Sequence, residues 1–229
     1  MPGTPLTLQE EVLLISLNDR TGKFHRGVNW VYALNAAALA ELLLCERIVL
    51  AEDRVQVKRT TPVGDAALDV ALCRLAMGRR ANSLPAWVQS LYRDRRLPFE
   101  VLTTRMVLRG ILTIEQARVL WVFRQEVYPT QNPVPEEHVV RRIREAVLVE
   151  TAAVDERTAV LIAVLNGARA LGIVLTEAET KQSKRRVQEI CASTAAGAAV
   201  GKAIADAIAA EQAAASAAAV AGAVSAASC

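Results

Sequence analysis

"LTLQEEVLLISLNDRTG", Leu6 to Gly22, decides how this chain is to be read. Thr7 is followed three residues later by Glu10, the spacing of a capping box. There the threonine side chain accepts from the third helical N–H, and the glutamate reaches back to the threonine backbone. Leu8, Val12, Leu13, Ile15 and Leu17 supply one buried side for the helix that follows. Asn18, Asp19 and Gly22 then end it with turn chemistry. Specified at both ends, the element reads as part of a core rather than as a loose segment. Its break delivers Lys23, His25 and Arg26 to the surface.

Working outward, the apolar pattern stays helical. Trp30 to Glu46 is apolar around most of its circumference, so it reads as a central helix packed on several sides. Ile48 to Leu50 and Arg54 to Lys58 alternate as a short hairpin around Glu52-Asp53. "TPVGDAALDVALCRLA" reads as a turn and a helix, and Ser83 with Pro85 as the start of another. "FEVLTTRMVLRG" reads as a helix closed by Gly110. "ILT" and "RVLWVFRQEVYPT" read as short strands with Arg124, Gln125 and Glu126 at a hairpin tip. Helices are expected near Pro135–Val149, Asp155–Leu171 and Thr176–Ala192, the last opened by a second capping box, Thr176 with Glu179. The stretch from Thr194 is an alanine-rich helix whose docking face is Val200, Ile204 and Ile208. The expectation is a mainly α fold: one mostly helical domain over 6–192 with small peripheral β-hairpins, then an Ala-rich helix over 193–229, packed on it or frayed.

Composition narrows the function. A hydrophobic share of 52% excludes a mainly disordered chain, and with 4% aromatics the core falls to Leu, Val, Ile and Ala. A net charge of +3 is too small to argue for a nucleic acid or a membrane by itself, so clustering must carry any such case. Cys45, Cys73, Cys191 and Cys229 form no C-x-x-C pair, and His25 and His138 have no ligand-spaced neighbours, so no metal and no cofactor are expected. Cys45 and Cys73 read as reduced core thiols, which suits a cytosolic protein with neither signal peptide nor membrane span. Gly64, Gly78 and Gly110 are isolated, so no phosphate loop is present, and no nucleophile is spaced from a histidine. Asp65 and Asp69 share a helix face but suit a helix start. An enzyme is not expected.

The cations are more informative. Arg141, Arg142, Arg144 and the run Lys184, Arg185, Arg186 alternate with acids and read as solvated faces. Lys23, His25 and Arg26, and separately Arg93, Arg95 and Arg96, fall in loops at helix starts, where guanidinium forks and backbone N–H groups converge on anions.

In order along the chain, "LTLQEEVLLISLNDRTG", "ALAELLLCERIVL", "TPVGDAALDVAL", "LRGILTIEQ", "LWVFRQEVYPT", "RRIREAVL" and "DERTAVLIAVLNGARAL" resemble blocks of the Golgi phosphoprotein 3 family. The resemblance covers about Leu6 to Ala192, and the Ala- and Arg-rich composition suggests a bacterial member. It implies a mostly helical fold and a peripheral membrane adaptor that recognises phosphatidylinositol-4-phosphate or another anionic phospholipid. It further implies a place on the cytosolic face of the Golgi in a eukaryote, cytosolic tails of membrane proteins as partners, and self-association through the 120–131 hairpin. The family's lipid-binding tryptophan falls near Arg26 or Gly27, with Trp30 close by. Its central-helix arginine falls at Asn35, and its last two arginines fall at Arg96 and Phe99. Lys23, Arg26, Arg93 and Arg95 stand as compensating donors, which favours generic anionic lipid over one headgroup. Trp121 and Phe123 are the apolar contacts of the hairpin, for a membrane or a second subunit. The rival reading is a winged-helix nucleic-acid-binding regulator, whose recognition helix would run from Phe99 to Arg109.

Overall fold

The computed structural model describes residues 5–52, 54–78, 82–91, 96–119 and 123–226. The fold is mainly α. The first helix, α1 (Leu8–Ser16), is buried at every residue. Thr7 N donates to Glu10 Oε2 at 2.8 Å and Glu10 N donates to Thr7 Oγ1 at 3.3 Å, which closes the capping box. α2 (Trp30–Leu44) is buried without interruption from Ala33 to Leu42 and lies against α1. Small alanines on its surface let neighbours approach from several sides, as its all-round apolar pattern requires.

A hairpin follows, β1 (Ile48–Ala51) with β2 (Arg54–Val57), antiparallel from Ile48↔Val57 to Ala51↔Arg54. α3 (Ala66–Met77) is capped by the Asp65 carboxylate, which accepts from Ala67 N and Leu68 N at 3.0 Å each. α4 (Leu84–Ser90) and α5 (Arg96–Leu108) come next, and Gly110, at a φ of 68°, turns the chain out of α5. The second hairpin is β3 (Glu115–Val119) with β4 (Phe123–Val127), paired from Glu115↔Val127 to Val119↔Phe123. Arg124, Gln125 and Glu126 therefore lie within β4, not at a tip. Leu112 of "ILT" makes only an isolated bridge to Thr130.

α6 (Val134–Leu148) and α7 (Glu156–Gly167) pack on α1, and α7 is buried from Thr158 to Leu165. α7 stops short of the expected Leu171 because Arg169 takes a φ of 61°, and the short α8 (Leu171–Val174) starts afresh. The expected helix Thr176–Ala192 is two, α9 (Glu177–Gln182) and α10 (Lys184–Ala192). The break falls at Ser183, whose hydroxyl donates to the Glu179 carbonyl at 2.7 Å. This intrahelical back-bond bends helices. The second capping box is closed at Thr176 and Glu179. α11 (Ala195–Ala226) lies across α7, α2 and α4. Its backbone comes close at Gly201, whose carbonyl oxygen lies 3.0 Å from where a Cβ on Gly167 would stand. Cys73 is exposed and Cys45 half-buried at the end of α2, so neither is a core thiol.

The buried carboxylates of the interior gather around α1. Glu10 is 1% exposed, Glu11 3% and Glu41 of α2 8%. Each carboxylate meets an arginine from a different helix. Arg105 of α5 donates to Glu10 at 2.8 Å, Arg142 of α6 to Glu11 at 2.9 Å, and Arg157 of α7 to Glu41 at 2.7 Å. Glu41 also accepts from Leu8 N at 2.7 Å, and Arg157 donates to the Leu6 carbonyl at 2.8 Å. Removing one member of a buried pair leaves a charge without an answer. Arg157→Met should therefore lower the free energy of unfolding by about 3 kcal/mol, read by urea denaturation, and adding Glu41→Gln should restore part of it. A loss under about 1 kcal/mol would show that the pair behaves like a solvated surface one.

Candidate functional site

The break after α1 is a built loop. Asn18 Oδ1 accepts from the Thr21 backbone and hydroxyl at 3.0 Å each. Leu17 bridges Phe24, Asn18 N donates to the Lys23 carbonyl at 2.8 Å, and His25 N donates to the Ser16 carbonyl at 2.9 Å. The loop is also stitched to the strand exit after β4. Tyr128 N donates to the Gly22 carbonyl at 3.0 Å, Thr130 N to the Asp19 carbonyl at 2.9 Å, and Thr130 Oγ1 to Asp19 Oδ1 at 2.9 Å. Gly22 has a φ of 60°, and a Cβ there would collide with the backbone of Tyr128 and Pro129, so only glycine fits.

From this frame the chain presents Lys23 and Arg26, both exposed, and neither is ion-paired with a described residue. Between and behind them lies a cluster of four rings. Phe24 stacks on Trp30 with centroids 4.2 Å apart and planes at 7°. Phe99 tilts against both at 5.4 and 6.0 Å, and Tyr128 meets Phe99 edge-on at 5.3 Å. Offset and edge contacts of this kind suit the ring quadrupoles. The cluster joins the loop, the start of α2, the first turn of α5 and the end of β4. Phe99 thereby brings the first turn of α5, which Arg96 opens, against Phe24 of the loop.

The other expected site residues fall out differently. Asn35 is 1% exposed, and its Nδ2 donates to the Val88 carbonyl at 2.7 Å. It is a structural bond inside the core and has no face for a headgroup. Trp30 is half-buried, one face covered by Phe24. Arg93, Arg95 and Trp121 lie outside the described residues, and of Arg96 and Phe123 only the backbone is described. Phe24, Phe99 and Tyr128 were not singled out as a cluster from the sequence, although a phenylalanine amid "KFHRG" is the signal that would have raised the question.

Several of the other cations are structural. Arg105 and Arg109 of α5 reach Glu10, at 2.8 and 3.3 Å, and Arg105 also pairs with Asp65. Burial opposes the charge on Arg105, but Asp65 and Glu10 outweigh it and raise its pKa. A recognition helix on α5 would thus have its arginines turned toward α1. Arg142 holds Glu11, Arg144 grips Glu179 at 2.6 and 3.1 Å, and Arg186 donates to the Ala152 carbonyl at 2.9 Å. These three are anchors, not a solvated face. Asp65 caps α3, and Asp69 accepts from Val63 N at 2.7 Å, so the two form no acid–base pair. Among the described residues no three His, Cys, Asp or Glu side chains cluster as a metal site, and no helix is long and apolar enough to cross a membrane.

The loop thus presents exposed basic side chains over an aromatic cluster, on a mainly helical fold with peripheral hairpins. A family model described as Golgi phosphoprotein 3 (GPP34) matches residues 8–210, from the first residue of α1 deep into α11. The chain belongs to the Golgi phosphoprotein 3 family.

Beside the loop, the Glu136 carboxyl in the first turn of α6 is pushed up to about 8. Burial is the main cause, followed by a hydrogen bond to Asp19 and the negative charges of Asp19 and Glu137. Unfolded, the group ionises near its ordinary 4.5. Between the two values the unfolded chain has lost a proton that the folded chain keeps. Its contribution to stability is therefore complete below the lower value and lost as pH rises to the upper one. Thermal melts should show Glu136→Gln matching the parent at pH 4 and melting a few degrees higher at pH 8. Parallel profiles would contradict the shared proton.

Proposed function

We propose that this protein is a peripheral membrane adaptor that docks on anionic phospholipid through Lys23, Arg26 and Arg96 at the rim of the Phe24–Trp30–Phe99 cluster. The observation that carries the reading is the exposure of Lys23 and Arg26, without carboxylate partners among the described residues, on a loop held rigid by Gly22, Asp19 and the ring stack. Each such cation near an anionic surface contributes about 1 kcal/mol, and a rigid loop loses little entropy in docking. Arg93 and Arg95 add to the same charge in sequence.

Phosphatidylinositol-4-phosphate is the headgroup that family membership suggests. Two features of this chain favour charge over stereochemistry. Asn35 is engaged with Val88 inside the core, and at 99 a ring stands where a guanidinium would grip phosphate. A single remaining arginine gives up the two-pronged clamp. In this reading residues 6–192 form the lipid-binding domain and the Ala-rich helix over 193–229 packs on it. Cytosolic tails of membrane proteins are the clients, the 120–131 hairpin with Trp121 and Phe123 serves self-association, and the host is a bacterium.

Vesicle co-sedimentation tests it, with neutral phosphatidylcholine, added phosphatidylserine, and phosphatidylinositol-4-phosphate at matched charge. Both anionic sets should bind alike and lose the protein as salt rises, and Lys23→Glu with Arg26→Glu should weaken binding tenfold or more, roughly the loss of two surface cations. Binding to no vesicle overturns the membrane reading. A strong preference for the phosphoinositide at matched charge overturns the charge-driven one.

A further inference from the structure

α6 buries Val139, Ile143, Ala146 and Val147 and turns its other side outward. That side is not wholly polar. Val140, Arg144, Leu148 and Val149 line an open groove of about 480 Å³, and Glu137, Arg141 and Glu145, four residues apart, complete the lining as one ridge of the helix. Leu148 is 39% exposed and Val149 46%. Apolar surface left open in this way is surface that water disfavours. Arg144 is already committed, to Glu179 at 2.6 and 3.1 Å and to the Val174 carbonyl at 2.8 Å. Arg141 and Glu145 are exposed, and neither is ion-paired with a described residue.

Two carboxylates flank Arg141 on the ridge, which is the wrong sign for an anionic lipid or a nucleic acid. The face instead complements itself. Two helices related by a two-fold axis run antiparallel, and each contact between unlike residues then occurs twice. Pairing Val140 with Leu148 places the axis at Arg144, and pairing Arg141 with Glu145 places it at Ile143. These positions differ by about 1.5 Å, the rise of one helical residue, so one register serves both pairings. The ridge of one helix then faces the same ridge of the other. Apolar side chains meet in the groove, and opposite charges meet along its edge.

We propose that this face is where two copies of the chain meet, α6 against α6, with Arg141 of each copy against Glu145 of the other and Val140 against Leu148. The contact forms in solution and needs no membrane. It is separate from the 120–131 hairpin and from the basic aromatic surface. One helix face makes a small interface, so the dimer is a weak, reversible one.

Sedimentation velocity of the full chain, taken to submillimolar concentration, should show a reversible monomer–dimer equilibrium. Arg141→Glu sets carboxylate against carboxylate at both contacts, and Glu145→Arg sets guanidinium against guanidinium. Each variant alone should associate about tenfold more weakly than the parent or worse, because two attractions become two repulsions. Mixed in equal amounts, the two variants recover opposite charges at both contacts, so the mixture should associate as the parent does. Mixing cannot rescue a pair formed within one chain. A parent that stays monomeric overturns the dimer. So do single variants that associate like the parent, the result expected if copies meet only through the hairpin, and so does a mixture that associates no better than its parts. Each of these outcomes leaves the lipid reading standing.

Discussion

Three buried carboxylates around α1, each answered by arginine from a different helix, set the geometry on which the rest depends. α1 is surrounded on every side, so its polar residues cannot turn to water. Glu10 serves twice, closing the capping box on Thr7 and accepting from Arg105. Glu11 takes Arg142, and Glu41 ties Arg157 to the Leu8 backbone. Buried pairs add little net stability over apolar packing, but they are exacting about position, because a misplaced partner leaves a charge in the core. α5, α6 and α7 are thereby registered on one short helix.

That registration reaches the surface. With the start of α1 fixed by the capping box and its end by the Leu17–Phe24 bridge, the loop leaves the core at one defined place. Gly22 and Asp19 fasten it to the strand exit at 128–130, and Phe24 fastens it to Trp30 and Phe99. Lys23 and Arg26 are left standing on a frame with little freedom. Arg105, which reaches Glu10 from the third turn of α5, also helps to set where the first turn of that helix, with Arg96, lies. Core ion pairing and the candidate surface are parts of one construction.

Local rules carried much of the fold into view from the sequence. Both capping boxes, the all-round apolar α2, the first hairpin and the Val200–Ile204–Ile208 face of α11 are short-range patterns with physical causes, and each is present. Contacts between distant residues were not legible. Nothing in the spacing of Arg142, Arg144 or Arg186 distinguishes an anchor from a solvated face, because the distinction lies in a carboxylate or carbonyl on another element. The split at Ser183 and the stop before Arg169 are single backbone choices inside helical patterns. At the candidate site the basic loop was visible, the ring cluster was not, and neither was the burial of Asn35, whose partner is the Val88 carbonyl, 53 residues away.

Hydrogen–deuterium exchange of the full chain, with and without phosphatidylserine-containing vesicles, tests the central claim most directly. The claim is that the loop after α1 and the ring-bearing helix starts beside it form the face that meets the membrane. The account predicts new protection over residues 18–32 and the first turn of α5, with α6, β1 and β2 unchanged. Protection on α6 or the first hairpin, with 18–32 exchanging as in free protein, would contradict it.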